Sequence, residues 1–244
     1  MSFVVNAFAF LHRLLSYSRA PAVFENRRDA ALKLAARLAH YKSRNALVLG
    51  IPRGAAPMAH VIAEELGGAV DVVLVRKLRA PGNPELAVGS VDESGWIHVA
   101  GFAASTGADA PYVEQEKQHQ LDVIRQRRAL YTGGRTSIEP AGRIVIVVDD
   151  GLATGATMIA ALHALRQRQP ARLICAVPVA PPETAAEVAK HCDELVCLET
   201  PQHFYAVGQF YRHFPQVEDD EVVAALRSGH DSNEEGDRGQ ASRA

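Results

Sequence analysis

Short runs of aliphatic and β-branched residues alternate with helical patterns along most of this chain, and that alternation decides the class of fold open to it. Residues 46–51 (A-L-V-L-G-I) read as a buried strand, and Val70–Val75, Ile144–Val148, Leu173–Val177 and Glu194–Leu198 read as four more. Glu25–Ala39 carries apolar residues at helical spacing (Ala30, Leu34, Leu38, with Ala31 and Ala35 beside them). Residues 55–66, Thr157–Arg168 and Glu183–His191 supply further helices, with Pro57 tolerable because it falls in a first turn. Strands this apolar are buried on both faces, so the pattern predicts a three-layer α/β fold, a mostly parallel sheet with flanking helices.

The expected folded unit runs from about residue 23 to 226, interrupted by an excursion over 78–136. Within it, R-A-P-G-N-P-E (79–85) is turn-rich, and L-A-V-G-S-V and W-I-H-V-A flank D-E-S-G as a hairpin should. Tyr112–Tyr131 reads as a polar helix with a thin apolar stripe of Val113, Leu121 and Ile124. Ligands of open α/β sheets sit beyond the carboxyl ends of the strands. An excursion leaving that edge is either a lid over the site or an oligomerisation arm, and segments this long favour the lid.

The ends differ from the middle. F-V-V-N-A-F-A-F-L-H-R-L-L (3–15) is interrupted by Asn6, His12 and Arg13 and is too short to span a bilayer; no basic segment precedes it. Residues 1–22 read as an extension, either a peripheral amphipathic helix or a misassigned start, and 227–244 as a disordered tail poor in apolar residues. With 48% hydrophobic residues the chain can bury a core, and a formal charge of −2 gives no general attraction to nucleic acid or anionic membrane. Anion chemistry must therefore come from local basic residues. Cys175, Cys192 and Cys197, an odd number without C-x-x-C spacing, suggest neither a disulfide framework nor a zinc ribbon, and the expected compartment is the cytoplasm.

The densest signal lies at 146–157, I-V-V-D-D-G-L-A-T-G-A-T, where two adjacent acids close an apolar strand and a glycine-bearing turn opens a helix. The amides of Leu152 to Ala156 and the positive helix end form an anion cradle, with Gly151 and Gly155 permitting close approach and Thr154 and Thr157 adding hydroxyls. Carboxylates one step before such a nest suit a sugar phosphate: the acids accept from ribose hydroxyls and the nest holds the phosphate. No Lys follows the glycine as in a Walker A loop, and no G-x-G-x-x-G is present. A helix merely capped beside acidic residues is the simpler alternative.

This stretch resembles the phosphoribosyl-pyrophosphate motif of the type I phosphoribosyltransferases. The resemblance extends to L-G-I-P-R-G-A (49–55), like that family's pyrophosphate loop, and to V-R-K (75–77) at the basic end of the second strand. F-E-N-R-R-D-A, R-K-L-R-A-P-G-N-P-E-L-A-V-G and F-Y-A-V-G-Q-F-Y resemble a bacterial branch of predicted phosphoribosyltransferases. The resemblance implies a parallel sheet with a flexible lid loop and a small hood, and a homodimer. It implies that Asp149 and Asp150 hold the ribose hydroxyls, directly or through Mg²⁺, which keeps oxygen ligands and waters. Gly151, Leu152, Ala153, Thr154, Gly155, Ala156 and Thr157 would cradle the 5-phosphate. Arg53 and Gly54 would grip the pyrophosphate, and Arg76 and Lys77 would supply countercharge as it departs.

The implied reaction is displacement at the anomeric carbon of 5-phosphoribosyl 1-pyrophosphate (PRPP) by a nitrogenous base, in a water-excluding site. Ala153 stands where the purine-salvage branch of the family has an acidic residue, so that proton acceptor is lacking and the loop is closer to the orotate type. Glu85 is a substitute general base on position alone. His203, Phe204, Tyr205, Phe210 and Tyr211 either stack on a planar base or form an aromatic core. The competing class is a protein that binds PRPP or a nucleotide as a signal and transfers nothing; the lack of a basic stripe or helix-turn-helix counts against it.

Overall fold

The computed structural model describes residues 22–227; the predicted N-terminal extension and C-terminal tail lie, but for Ala22 and Arg227, outside the described residues. The elements are α1 (Arg27–Arg37), β1 (Leu47–Gly50), α2 (Ala56–Leu66), β2 (Ala69–Val72), β3 (Val75–Ala80), β4 (Asn83–Asp92), β5 (Ile97–Val99), α3 (Ala110–Thr132), β6 (Ile144–Val148), α4 (Ala156–Gln167), β7 (Arg172–Val179), α5 (Pro182–Val188) and β8 (Glu194–Glu199). A last helical stretch occupies 219–227.

A parallel sheet in the order β2-β1-β6-β7-β8 forms the middle layer. Alternate residues of its strands serve opposite faces. Val48, Ile146, Val148, Ile174 and Ala176 pack toward α1 and α2, through Leu34, Met58 and Ile62. Leu47, Leu49, Val145, Val147, Cys175 and Val177 pack toward α4 and α5, through Leu162, Leu165 and Val188. Each such aliphatic side chain stabilises the fold by about 1.5–3 kcal/mol when fully buried. The predicted three-layer α/β arrangement is therefore what the chain adopts.

Register places the site. Gly50 stands level with Val72 on one side and Val148 on the other, so the loops after β1, β2 and β6 leave one edge of the sheet together. Asn26 caps α1 by accepting from the Asp29 N–H at 3.0 Å, which starts that helix two residues later than its apolar spacing suggests.

The excursion is a second, antiparallel sheet in the order β3-β4-β5, packed on α3. This corrects two expectations. Val70–Val75 is not one strand: β2 stops at Val72, and Val75 already belongs to β3. The turn-rich interval 79–85 is mostly strand, with Ala80 paired to Asn83 around Pro81 and Gly82, the latter at φ +68°. Leu78, Val88 and Val91 are buried in the main core, and Arg128 of α3 ties the two sheets together. Its Nε and Nη2 each donate at 2.7 Å to Glu93, while Nη1 donates at 2.7 Å to the fully buried Asp71 beside β1. Among the described residues, no helix is long and apolar enough to cross a membrane.

Candidate active site

β6 delivers Asp149 and Asp150 to the carboxyl edge half-buried, and their surroundings differ. Arg27, at the first position of α1, donates from Nε at 2.9 Å and pairs from Nη2 at 2.8 Å with Oδ2 of Asp150. The same guanidinium donates from Nη1 to the Pro215 carbonyl at 2.6 Å and lies 3.8 Å over the Phe214 ring. Asp149 differs: among the described residues it forms no ion pair, and its Oδ1 accepts the Asp150 backbone N–H at 2.9 Å. Burial raises the Asp149 carboxyl well above the ordinary range, and the charge of Asp150 adds to that shift. Burial also raises Asp150, but Arg27 pulls it back. Both acids thus resist ionisation, Asp149 more so, because Arg27 favours the charged form of Asp150. Among the described residues, Oδ2 of Asp149 and Oδ1 of Asp150 have no hydrogen-bond partner.

The turn between β6 and α4 forms the expected cradle with one correction. The N–H of Leu152 donates to the Val179 carbonyl at 2.9 Å, and its side chain is buried. Leu152 therefore anchors the loop, and the open donors begin at Ala153. Among the described residues, no acceptor takes the N–H of Ala153, Thr154 or Gly155. Gly155 caps α4 at φ +72°, in the left-handed region, and a Cβ there would meet Val188 at 2.9 Å. Gly151 is also crowded, but by Val207 and Val179 and not by the open side of the loop.

The loop after β1 brings Gly54 against Asp150, and the peptide bond between Pro52 and Arg53 is cis. A Cβ on Gly54 would fall on the carboxylate of Asp150, so the close approach it permits is first of all to that acid. Arg53 turns toward the chain's C-terminal part, with Nη1 3.4 Å from Glu218 and 3.9 Å from Asp219. Arg76 donates from Nε to Gln120 at 2.6 Å, and Lys77 is exposed on β3. Glu85 lies on β4, but its side chain is outside the described residues.

Thr157 joins these parts. It borders the cradle cavity of 170 Å³, which reaches back to Asp149. It borders a pocket of 80 Å³ shared with Pro52 and Arg76, and a larger cavity of 580 Å³ shared with Arg76 and Lys77. Apart from Glu85, every predicted site residue lies in or beside this one edge.

The phosphoribosyl transferase domain model matches residues 16–214. The chain belongs to the phosphoribosyl transferase family. It is 42% identical over 210 residues to a predicted phosphoribosyl transferase of Mycobacterium tuberculosis, found in two strains, covering 85% of this chain and 47% of each relative. The chain thus spans about half the length of the curated relatives it matches. A crystal structure from Thermus thermophilus is similar with a TM-score of 0.75 and 45% identity, covering 83% of this chain and 97% of that one.

In this member of the phosphoribosyl transferase family, Arg27 is the site residue that sequence reasoning missed. A basic residue in the first turn of a helix opposes the helix dipole, and that was its one local signal. The aromatic segment resolves toward the core: Phe210 and Tyr211 are buried, Phe204 packs on Phe210 with centroids 5.3 Å apart, and Tyr211 stacks on Phe214 at 4.7 Å. Tyr211 serves the site differently, donating its hydroxyl to the Asp150 carbonyl at 2.6 Å. Tyr205 is 80% exposed. The donor set at the acids fits magnesium in one respect only. Two carboxylate oxygens without other partners could hold a cation that takes its remaining oxygens from substrate and water. Among the described residues no group of three or more His, Cys, Asp or Glu could hold a metal alone.

Proposed function

We propose that this member of the phosphoribosyl transferase family transfers the 5-phosphoribosyl group of PRPP to a nitrogenous base and releases pyrophosphate. The observation that carries this reading is the meeting at Thr157 of the amide cradle, whose cavity reaches back to Asp149, and the basic strand end. On this reading the amides of Ala153, Thr154 and Gly155, with the hydroxyls of Thr154 and Thr157, hold the 5-phosphate at the positive end of α4. Oδ2 of Asp149 and Oδ1 of Asp150 accept from the ribose hydroxyls. Arg27 favours the charged form of Asp150 for that task, and Tyr211 fixes its backbone.

Asp149 and Asp150, together with the substrate, would hold magnesium, whose chemistry when bound would be charge neutralisation at the pyrophosphate. Arg53 leaves its exposed carboxylate partners for the pyrophosphate, and Arg76 and Lys77 face the charge that grows as the anomeric bond breaks. The sugar carbon passes through an oxocarbenium-like state, so most of the protein's contribution is positioning and electrostatics in a dry site. The exposed turn of the β3–β4 hairpin closes over bound substrate. The working form on this reading is a cytoplasmic homodimer.

The test is pyrophosphate release from PRPP and Mg²⁺ with a panel of bases, for the wild type and for Asp149→Asn with Asp150→Asn. Turnover lost in the double variant supports the assignment. Binding of PRPP without turnover across the panel would identify a sensor instead, and neither binding nor turnover would reject both.

A further inference from the structure

One cavity among the described residues has a composition that a sugar-phosphate site alone does not require. Its 580 Å³ lies between α4 and the β3–β5 sheet, within the range of about 300–1,000 Å³ typical of small-molecule pockets. Its apolar lining comes from both sides, Val75 of β3 and Ala100 just after β5 facing Ile159 and Ala160 of α4. β3 contributes Arg76, Lys77 and Arg79, β5 contributes His98 and α4 contributes His163, and among the described residues that line the cavity none is acidic. Among the described residues none of these three fixed cations has a carboxylate salt-bridge partner; Glu116 approaches only through the Arg79 backbone N–H at 3.2 Å and through Gln120.

We infer that this cavity seats the acceptor, and that the acceptor is a planar nitrogen heterocycle bearing a carboxylate. The apolar residues on the two sides take the ring between them, and the guanidinium of Arg79 takes the carboxylate in the planar, two-point manner that suits it. Thr157, Arg76 and Lys77 border the cavity, so its occupant is next to the proposed PRPP site. Burial, and then the neighbouring charges of Arg127 and Arg79, disfavour the charged form of Arg76; an anion between these cations relieves that repulsion. The ring nitrogen's lone pair forms the new bond to the anomeric carbon while the carbon–oxygen bond breaks and its electron pair leaves with pyrophosphate. A nitrogen that carried hydrogen gives that proton to water; a pyridine-type nitrogen becomes cationic.

The transfer step rests on the proposed function, whereas binding does not, and the experiment separates them. Full-length protein is titrated calorimetrically, without PRPP, with matched heterocycles differing only in the carboxylate: nicotinate against nicotinamide, orotate against uracil, and a wider set built alike. At least one acid is expected to bind about tenfold or more tightly than its neutral partner, as for a hydrogen bond to a charged group. Arg79→Gln is expected to erase that preference and spare the neutral ligand, and Ala160→Leu to weaken both by filling the cavity. Binding of PRPP, measured in the same proteins, reports on the functional reading. PRPP binding with no carboxylate preference anywhere in the set overturns this inference alone. A preference that survives Arg79→Gln overturns it too, as does an acid that binds but is never ribosylated when PRPP and Mg²⁺ are added.

Discussion

Arg27 directs two nitrogens at a single oxygen of Asp150, at 2.9 and 2.8 Å, and leaves the acid's other oxygen open. The pair is mostly shielded, with 13% and 17% of the side chains exposed. Replacing Arg27 with Ala strands a half-buried carboxylate and should cost about 2–3 kcal/mol, less than a fully buried pair would. Urea unfolding reads the stability. PRPP affinity should fall as well, and Arg27→Lys should recover stability better than affinity, since Lys lacks the planar fork.

Asp149 gives a pH dependence with a definite sign. Its carboxyl is raised by burial and by the charge of Asp150. The folded protein therefore holds a proton that the unfolded chain releases at the ordinary carboxylate pKa of about 4, so stability falls as pH rises from there through the raised value. Above that window the ionised acid opposes folding. Asp149→Asn should flatten this slope and match or exceed wild-type stability near neutral pH while losing turnover. Urea midpoints across the acid-to-neutral range test it; an unchanged slope in the variant would show that the titration belongs elsewhere.

Gly54→Ala should fold and fail to bind. The new methyl would land on the Asp150 carboxylate, so either the loop or the acid must move. Movement of a few tenths of an ångström or more misaligns the Arg27 pair, and PRPP affinity should drop about tenfold or more, as for a site displaced from its productive geometry. Calorimetric titration with PRPP and Mg²⁺ measures the loss, and circular dichroism checks the fold.

Glu218→Gln should act in the opposite direction. Arg53 must give up Glu218 and Asp219 to reach a pyrophosphate, and the Glu218 side chain is 62% exposed. Exposed pairs are worth about 0–1 kcal/mol, so the KM for PRPP should fall about twofold with kcat unchanged. A KM that rises would place Glu218 among the groups that support substrate.

Arg128→Ala should unfasten the antiparallel sheet from the parallel one. It leaves the fully buried Asp71 without its cation, although the Ile138 N–H still reaches Asp71 Oδ2 at 3.1 Å. The expected cost is about 3–5 kcal/mol, read as a lowered thermal midpoint.

What could be read in the sequence was local. Ile144–Val148, the acids and the loop into α4 are contiguous, and their apolar run, turn chemistry and helix pattern all agree. The break between β2 and β3 was hidden because V-V-L-V (72–75) is continuously apolar where the chain passes from one sheet to the other. Leu152 looked like a donor because its position in the nest is right; only the fold shows Val179 already taking its N–H. Arg53's partners lie 165 residues away and could not be inferred from its own loop. Phe210 and Tyr211 have the composition of a stacking platform, and burial alone decides against it.

The span from Arg27 to Asp150 is 123 residues, and from Arg27 to Pro215 it is 188. During synthesis the guanidinium leaves the ribosome long before the acid it serves, and the carbonyl that orients it emerges later still. A nascent chain halted after α4 would carry the acids and the cradle but lack the carbonyl that orients the clamp, so competence for substrate should arrive only once the residues around Pro215 have emerged.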